Sequence, residues 1–386
     1  MPATEFFGIA ADTLHARGAL HTAREICQQP AMLEATQALL ATLRVQLDAF
    51  AQPVTGNPRA RVILTGAGTS AYIGQILAPL LDRQLAARVD AVASTDLVSA
   101  PRLHLDAGQP LLLVSFGRSG NSPESLAAVA LAEALVDDVR HLFITCNPDG
   151  KLGQLAMRQA CTLHLPEATH DASFAMTSSF SCMLYAALAA LGTATDLATR
   201  NAALAQATQA VIGTHAPALQ ALAGRGFDRC VSLGSGVLQG LAREAALKLG
   251  ELSNGAVASC HETPLGFRHG PKTFITGNTL VLVFVSNDAH TRRYDHDLID
   301  ELRRDGEAGA VLEISAHPRT GNAAHTLAVP GMAQAQDIDL VWPYVAIAQC
   351  FAFFTALALG RSPDNPNPQG TVNRVVQGVT LYPLEA

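Results

Sequence analysis

Ile63-Leu-Thr-Gly-Ala-Gly-Thr-Ser70 is an apolar run that ends in a turn of glycine and hydroxyl residues, and its pattern decides the fold. A strand that hands a glycine loop to a helix lets the backbone approach a ligand closely. It also presents unpaired N–H groups at the helix's positive end. A second stretch repeats the arrangement, Leu112-Leu-Val-Ser-Phe-Gly-Arg-Ser-Gly-Asn-Ser122. Thr69, Ser70, Ser119 and Ser122 supply hydroxyls, and Arg118 supplies a guanidinium suited to phosphate. Two such loops converging on one anion are a more specific signal than either alone. Ser122-Pro-Glu reads as a helix entrance, with Ser122 as N-cap and Pro123 in the first turn.

The motif recurs. Gly66-Ala-Gly68 returns as Gly234-Ser-Gly236, and Leu111-Leu-Leu-Val-Ser115 as Leu280-Val-Leu-Val-Phe284. Phe143-Ile-Thr-Cys-Asn-Pro148 returns as Glu313-Ile-Ser-Ala-His-Pro318, and Leu163-His-Leu-Pro166 as Leu327-Ala-Val-Pro330. The order is kept and the offset nearly constant, so the chain reads as two copies of one α/β domain. Apolar runs at 61–64, 111–115 and 141–145 alternate with helical stretches at 71–81 and 123–135. Uniformly apolar strands spaced by helices imply a parallel sheet covered on both faces. The expected division is an N-terminal helical segment over 1–52, domains over 53–205 and 206–370, and a tail over 371–386. Helices are expected at 22–29 and 30–50, a turn-rich linker at 52–58 and a second junction at 193–216. The proline-rich run Ser362-Pro-Asp-Asn-Pro-Asn-Pro-Gln-Gly370 predicts an extended tail.

A length of 386 residues suits two domains, and 49% hydrophobic residues suit a well-buried core. A net charge of −7 argues against nucleic acid or an anionic membrane as the main partner. Local N–H and hydroxyl donors still bind phosphate in an acidic protein. The seven cysteines show no C-x-x-C spacing, which predicts reduced thiols in a cytoplasmic protein. The first residues lack a basic region followed by an apolar core, so no signal peptide is expected. The apolar stretch 345–359 contains Gln349 and Thr355, follows Pro343 and is short for a membrane span; it predicts a buried helix.

A dinucleotide-binding loop is the rival for the first motif. Its third glycine would fall at Ala71, and Asp90 follows at about the right distance. The hydroxyls of Thr69 and Ser70, and the second loop, favour a sugar phosphate instead. The second half carries Arg243-Glu-Ala-Ala-Leu-Lys-Leu-Gly-Glu251, a helix with Glu244, Lys248 and Glu251 on one face. That face is either a solvated salt-bridged stripe or a catalytic group. The helix opens at Gly236, where the duplication predicts the ligand end, which favours Glu251 as a base. Cys260-His-Glu-Thr-Pro-Leu-Gly-Phe-Arg-His-Gly-Pro-Lys272 follows, crowded with ionisable groups and holding Lys272, one of only three lysines. A metal-binding H-E-x-x-H would need histidine at position 265, which is Leu265, so neither metal nor cofactor is expected.

These segments resemble the sugar isomerase (SIS) superfamily. Ser119-Gly-Asn-Ser122 is similar to its phosphate loop. Ala246-Leu-Lys-Leu-Gly-Glu251 and Arg268-His-Gly-Pro271 resemble the isomerase domain of glucosamine-6-phosphate synthase. With Thr263–Lys272 and Gly370-Thr-Val-Asn-Arg-Val-Val-Gln-Gly378 included, the chain most resembles the galactosamine-6-phosphate deaminase/isomerase group, also labelled tagatose-6-phosphate ketose/aldose isomerases. The resemblance implies two tandem SIS domains, each a flavodoxin-like three-layer sandwich. It implies that Ser70, Ser119 and Ser122, with Thr69 and Arg118 alongside, hold a phosphate, and that Ser173 touches the sugar. By the same resemblance Glu251 moves a proton between C1 and C2, Lys248 steers the hydroxyl chemistry, and His269 assists ring opening in its own or a neighbouring subunit. A homodimer or larger homo-oligomer follows as an expectation. The synthase's Schiff-base lysine falls at about Gln377, and its glutaminase domain is missing, so the implied reaction is deamination of an amino-hexose 6-phosphate. Rivals are aldose–ketose isomerisation without ammonia loss and a non-catalytic sugar-phosphate sensor.

Overall fold

The computed structural model describes residues 4–194, 196–319 and 325–384. It contains two five-stranded sheets, parallel throughout. In the first, the strands lie side by side as Arg88–Ala91, Arg61–Thr65, Leu111–Gly117, Val139–Thr145 and Ala160–His164. In the second they lie as Ala258–Glu262, Arg229–Gly234, Thr279–Phe284, Ala310–Ser315 and Thr326–Ala328. Each sheet therefore has the chain order second, first, third, fourth, fifth, which is the flavodoxin-like order. The duplication read in the sequence is a duplication of topology.

The strands are apolar without alternation because helices flank both sheets. All six residues of Thr279–Phe284 are buried, as are the first six of Leu111–Gly117. Leu111, Leu113, Phe143, Val129 and Ala132 share one core cluster. Val231, Val281, Val283, Leu298 and Ile299 share another.

The contacts divide the chain into two compact units that are not contiguous in sequence. The unit of the first sheet comprises Met32–Asp171, Ser178–Thr199 and the chain from Gln369. The unit of the second sheet comprises the chain up to Ala31, Ala172–Thr177 and Arg200–Pro368.

Three expectations about helices are corrected. The helix Gln29–Thr55 continues through Pro53, so the linker expected at 52–58 starts later. Pro53 sits in the last turn, where few later residues depend on the ladder it interrupts. The junction expected at 193–216 is largely the helix Leu197–Ala223. The buried apolar helix begins at Asp337, six residues before Pro343, because Gln336 and Asp339 close a capping box. All of its residues from Ile338 through Leu357 are buried. A short hairpin also precedes the first helices, Glu5–Phe6 with Ile9–Ala10, and Phe7 between them packs against Phe353 and Phe354. Residues 361–384 hold neither helix nor strand, as the prolines predict.

Candidate functional site

The strand order of the first sheet reverses between Arg61–Thr65 and Leu111–Gly117, and ligands of such sheets bind beyond the carboxyl ends at that point. Both glycine loops stand there. A Cβ on Gly66 would lie 2.5 Å from Cβ of Ser70, so only glycine lets this turn close. Gly68 takes a φ of +56° and leads into the helix Thr69–Gln84, which has Thr69 and Ser70, both buried, in its first turn. The second loop turns at Gly120, φ +65°, whose absent Cβ would crowd Cα of Gly150 at 3.3 Å.

That loop is held from the next connection. Asn147 donates to the main-chain oxygen of Ser119 at 3.0 Å, and Asn121 accepts from the Lys151 N–H at 3.1 Å. Leu152 N–H donates to Gly120 O at 2.9 Å. Ser119 Oγ accepts from Asn121 N–H at 3.2 Å. Ser122 occupies the N-cap position with Pro123 behind it, but its hydroxyl donates to Glu124 at 2.7 Å and does not cap the helix. Arg118 is buried and donates through Nη2 to the main-chain oxygen of Arg374 at 2.9 Å. Arg374 donates in turn to the main-chain oxygen of Asp171. The Asp171 carboxylate accepts from Ser178, from Ser179 N–H at 2.9 Å and from Ser179 Oγ at 2.5 Å, capping the helix Ser178–Leu191. Beside it, burial first and then the charges of Arg374 and Arg118 hold His170 below the usual imidazole range. Sequence reading missed Asn147, Asp171 and Arg374; the Asn-Arg pair inside the tail motif was the only available signal for the last.

The second-sheet unit carries the carboxylate–lysine group. The helix Val237–Leu252 starts after Gly236, φ +58°, and places Glu244, Lys248 and Glu251 on one face. Glu244 and Lys248 are completely buried, so the solvated-stripe reading fails at those two positions. Lys248 Nζ lies 3.6 Å from Glu244 Oε1 and donates to Glu251 Oε2. The Glu251 side chain keeps 24% of its exposure. A buried ammonium is costly unless paired, and here a buried carboxylate balances it from one side. Glu251 is left as the member that solvent or a substrate can reach.

The ionisable loop that follows is sorted by its partners. Thr263 accepts from Gly266 N–H at 3.0 Å and caps the turn Pro264–Phe267. Arg268 pairs with Asp297 and Glu301, and Lys272 with Glu301 and Asp305, so both bind the helix Ala289–Asp305. His269 is exposed in the intervening turn, with its N–H donating to Gly266 O at 2.9 Å. His261 is half-buried, and burial and Arg243 lower its pKa. Ser173 is buried and bound to Glu25, which also accepts from the Ala172 N–H at 2.6 Å.

The second sheet repeats the loop geometry, and its loop donors are bound to internal carboxylates. Ser235, between Gly234 and Gly236, donates to Asp295 at 3.0 Å, and Ser286 N–H donates to the same carboxylate at 2.9 Å. Ser286 Oγ and Asn287 N–H donate to Asp337 at 2.5 and 2.6 Å. The chain's own carboxylates thus stand where an anion would be bound.

Residues 57–192 match the SIS domain family. The D-galactosamine-6-phosphate deaminase AgaS of Shewanella sp. (strain ANA-3) is 44% identical over 384 residues, covering 97% of this chain and 95% of that protein. The Escherichia coli protein of the same name is 43% identical over 369 residues, covering 95% and 96%. The crystal structure of tagatose-6-phosphate ketose/aldose isomerase from Escherichia coli is 41% identical, covers 95% of this chain and 97% of its own, and superposes with a TM-score of 0.88.

Proposed function

This chain belongs to the SIS-domain family of the D-galactosamine-6-phosphate deaminases, and from that premise we propose that it converts galactosamine 6-phosphate and water to tagatose 6-phosphate and ammonia. The observation that carries the chemistry is the partly exposed Glu251 carboxylate held against the buried ammonium of Lys248.

Ring opening, assisted by His269, exposes an aldehyde at C1 and so acidifies the hydrogen on C2. Glu251 removes that proton, and the C1 oxygen gathers negative charge that the Lys248 ammonium stabilises. Glu251 returns the proton to C1. The product of that transfer is an imine at C2, which water hydrolyses to the ketose and ammonia. One carboxylate serves as base and then as acid, so no Schiff base with the protein is required and Gln377 is no obstacle. Glu244 places a second carboxylate 3.6 Å from the Lys248 ammonium.

For the phosphate we propose the first-sheet cradle: the N–H groups opening the helix Thr69–Gln84, the hydroxyls of Thr69, Ser70, Ser119 and Ser122, and Arg118. Ser173 acts indirectly, fixing its own segment through Glu25. All seven cysteines are free thiols, five of them buried, which supports a reducing, cytoplasmic setting.

The test is release of ammonia and ketose phosphate from galactosamine 6-phosphate, glucosamine 6-phosphate and galactose 6-phosphate. Stoichiometric ammonia from the galacto amino sugar is expected. Turnover of galactose 6-phosphate alone makes the chain a plain isomerase, and binding without turnover makes it a sensor.

A further inference from the structure

The helix that carries Lys248 and Glu251 ends in a Schellman motif. Asn254 N–H donates to Glu251 O at 3.0 Å, and Gly255 N–H donates to Gly250 O at 2.9 Å. The residue just past the cap must take a left-handed backbone, a position that glycine fills at least cost. Here it is Asn254, φ +50°, one of two non-glycine residues with positive φ among the described residues. Asparagine tolerates that backbone and, unlike glycine, brings an amide side chain to it. Asn254 Oδ1 accepts from Asn367 Nδ2 at 3.1 Å.

Asn367 stands on a stiff strap. Pro363, Pro366 and Pro368 fix backbone angles around it, and the first two are buried. Asp364 fastens the strap to the start of the helix Leu20–Cys27. Its carboxylate accepts from His21 N–H at 3.1 Å and from the N–H and hydroxyl of Thr22 at 2.7 Å each. The Asp364 N–H and the Ser362 hydroxyl donate to Gly18 O at 2.9 and 2.7 Å. Asp364 O accepts from Phe174 N–H at 3.2 Å, beside the Ser173 segment that Glu25 holds. All of these residues belong to the unit of the second sheet. The strap is thus a fixed frame, and Asn367 joins it to the turn that closes the Glu251 helix.

We propose that Asn254 and Asn367 are a pair of positioning residues that hold the last turn of this helix, and with it the Glu251 carboxylate, in place for proton transfer. The proposal rests on the reading of Glu251 as the proton carrier. Helix ends fray, and a base in the last turn loses its aim when they do. Asn254 ties that turn from both sides: its N–H holds the Glu251 carbonyl, and its side chain holds the strap. Misplacing a proton-transfer group costs rate more than it costs substrate binding.

Steady-state ammonia release from galactosamine 6-phosphate by the full chain tests it, with the melting temperature of each variant measured alongside. Asn254→Gly removes the amide but suits the left-handed backbone, so the melting temperature should stay near that of wild type. Its kcat should fall about three- to tenfold, the range of one modest hydrogen bond, with KM within about twofold. Asn367→Ala should show the same loss, and the double variant should be no slower than either single one. Asn367→Gln, which keeps the amide donor, should retain at least about half of the wild-type kcat. Wild-type kcat in Asn254→Gly, beside a much slower Glu251→Gln, overturns the positioning role and leaves Glu251 standing. Losses that multiply in the double variant, or that appear only with a lowered melting temperature, overturn it as well. No ammonia from the wild-type chain overturns the reading of Glu251 and the role of the pair together.

Discussion

Ser235 donates its hydroxyl to the buried carboxylate of Asp295 at 3.0 Å, so the second copy of the glycine loop is closed by a group from its own domain. Its equivalent in the first copy, the turn around Gly66–Gly68, leads into a helix start that carries Thr69 and Ser70. Both sheets share one switch point, and in the second its loops are bonded to the internal carboxylates of Asp295 and Asp337.

Asp295 gives the fold a pH signature. Burial raises its pKa from 3.8 to about 6 against the hydrogen bonds of Ser286 and Ser235. A carboxyl with a raised folded pKa stabilises the fold most when protonated, and this contribution is lost as pH rises from about 4 to about 6. The loss is on the order of 2–3 kcal/mol. Urea unfolding of wild type and Asp295→Asn at pH 4.5 and pH 7 measures it. The difference between the two pH values should shrink in the variant, and an unchanged difference would show that Asp295 titrates alike folded and unfolded.

If Glu251 is the proton carrier, as proposed, removing its carboxylate should leave binding intact. Glu251→Gln keeps the shape and a hydrogen-bond acceptor for Lys248 but cannot take a proton. Steady-state kinetics should show kcat reduced by roughly 10²–10⁴-fold, the usual range for general acid–base groups, with KM changed little.

Lys248 should be as important to folding as to turnover. Lys248→Met removes the cation 3.6 Å from the buried Glu244 carboxylate, at a cost of roughly 3–5 kcal/mol. Adding Glu244→Gln removes that buried carboxylate charge and should restore much of the melting temperature while activity stays lost. Recovery of activity along with stability would show that the lysine is structural only.

The second glycine loop depends on glycine where it turns. Gly120→Ala meets both a φ of +65° and the Cα of Gly150 at 3.3 Å, so the loop must shift. The destabilisation should be modest, roughly 1–2 kcal/mol, because the loop is at the end of a strand and not in the core. The KM for the phosphorylated substrate should rise at least tenfold, read in the same kinetic assay.

Sequence alone determined the α/β class, the duplication and the helix face shared by Glu244, Lys248 and Glu251, because strand burial, glycine turns and helical period are written in local patterns. The glycine loops and the helix at Pro123–Leu135 were legible for the same reason. Proline was a poorer guide: Pro53 and Pro343 both lie inside helices, where packing and capping outweigh one missing N–H. Only the tertiary structure decided that Glu244 and Lys248 are buried while Glu251 is reachable, since a helix face says nothing of what covers it. It alone put Asp295 into the second loop and Arg374 beside Arg118. Those pairings join residues far apart along the chain, and no local pattern encodes which distant carboxylate or guanidinium will fill a given turn.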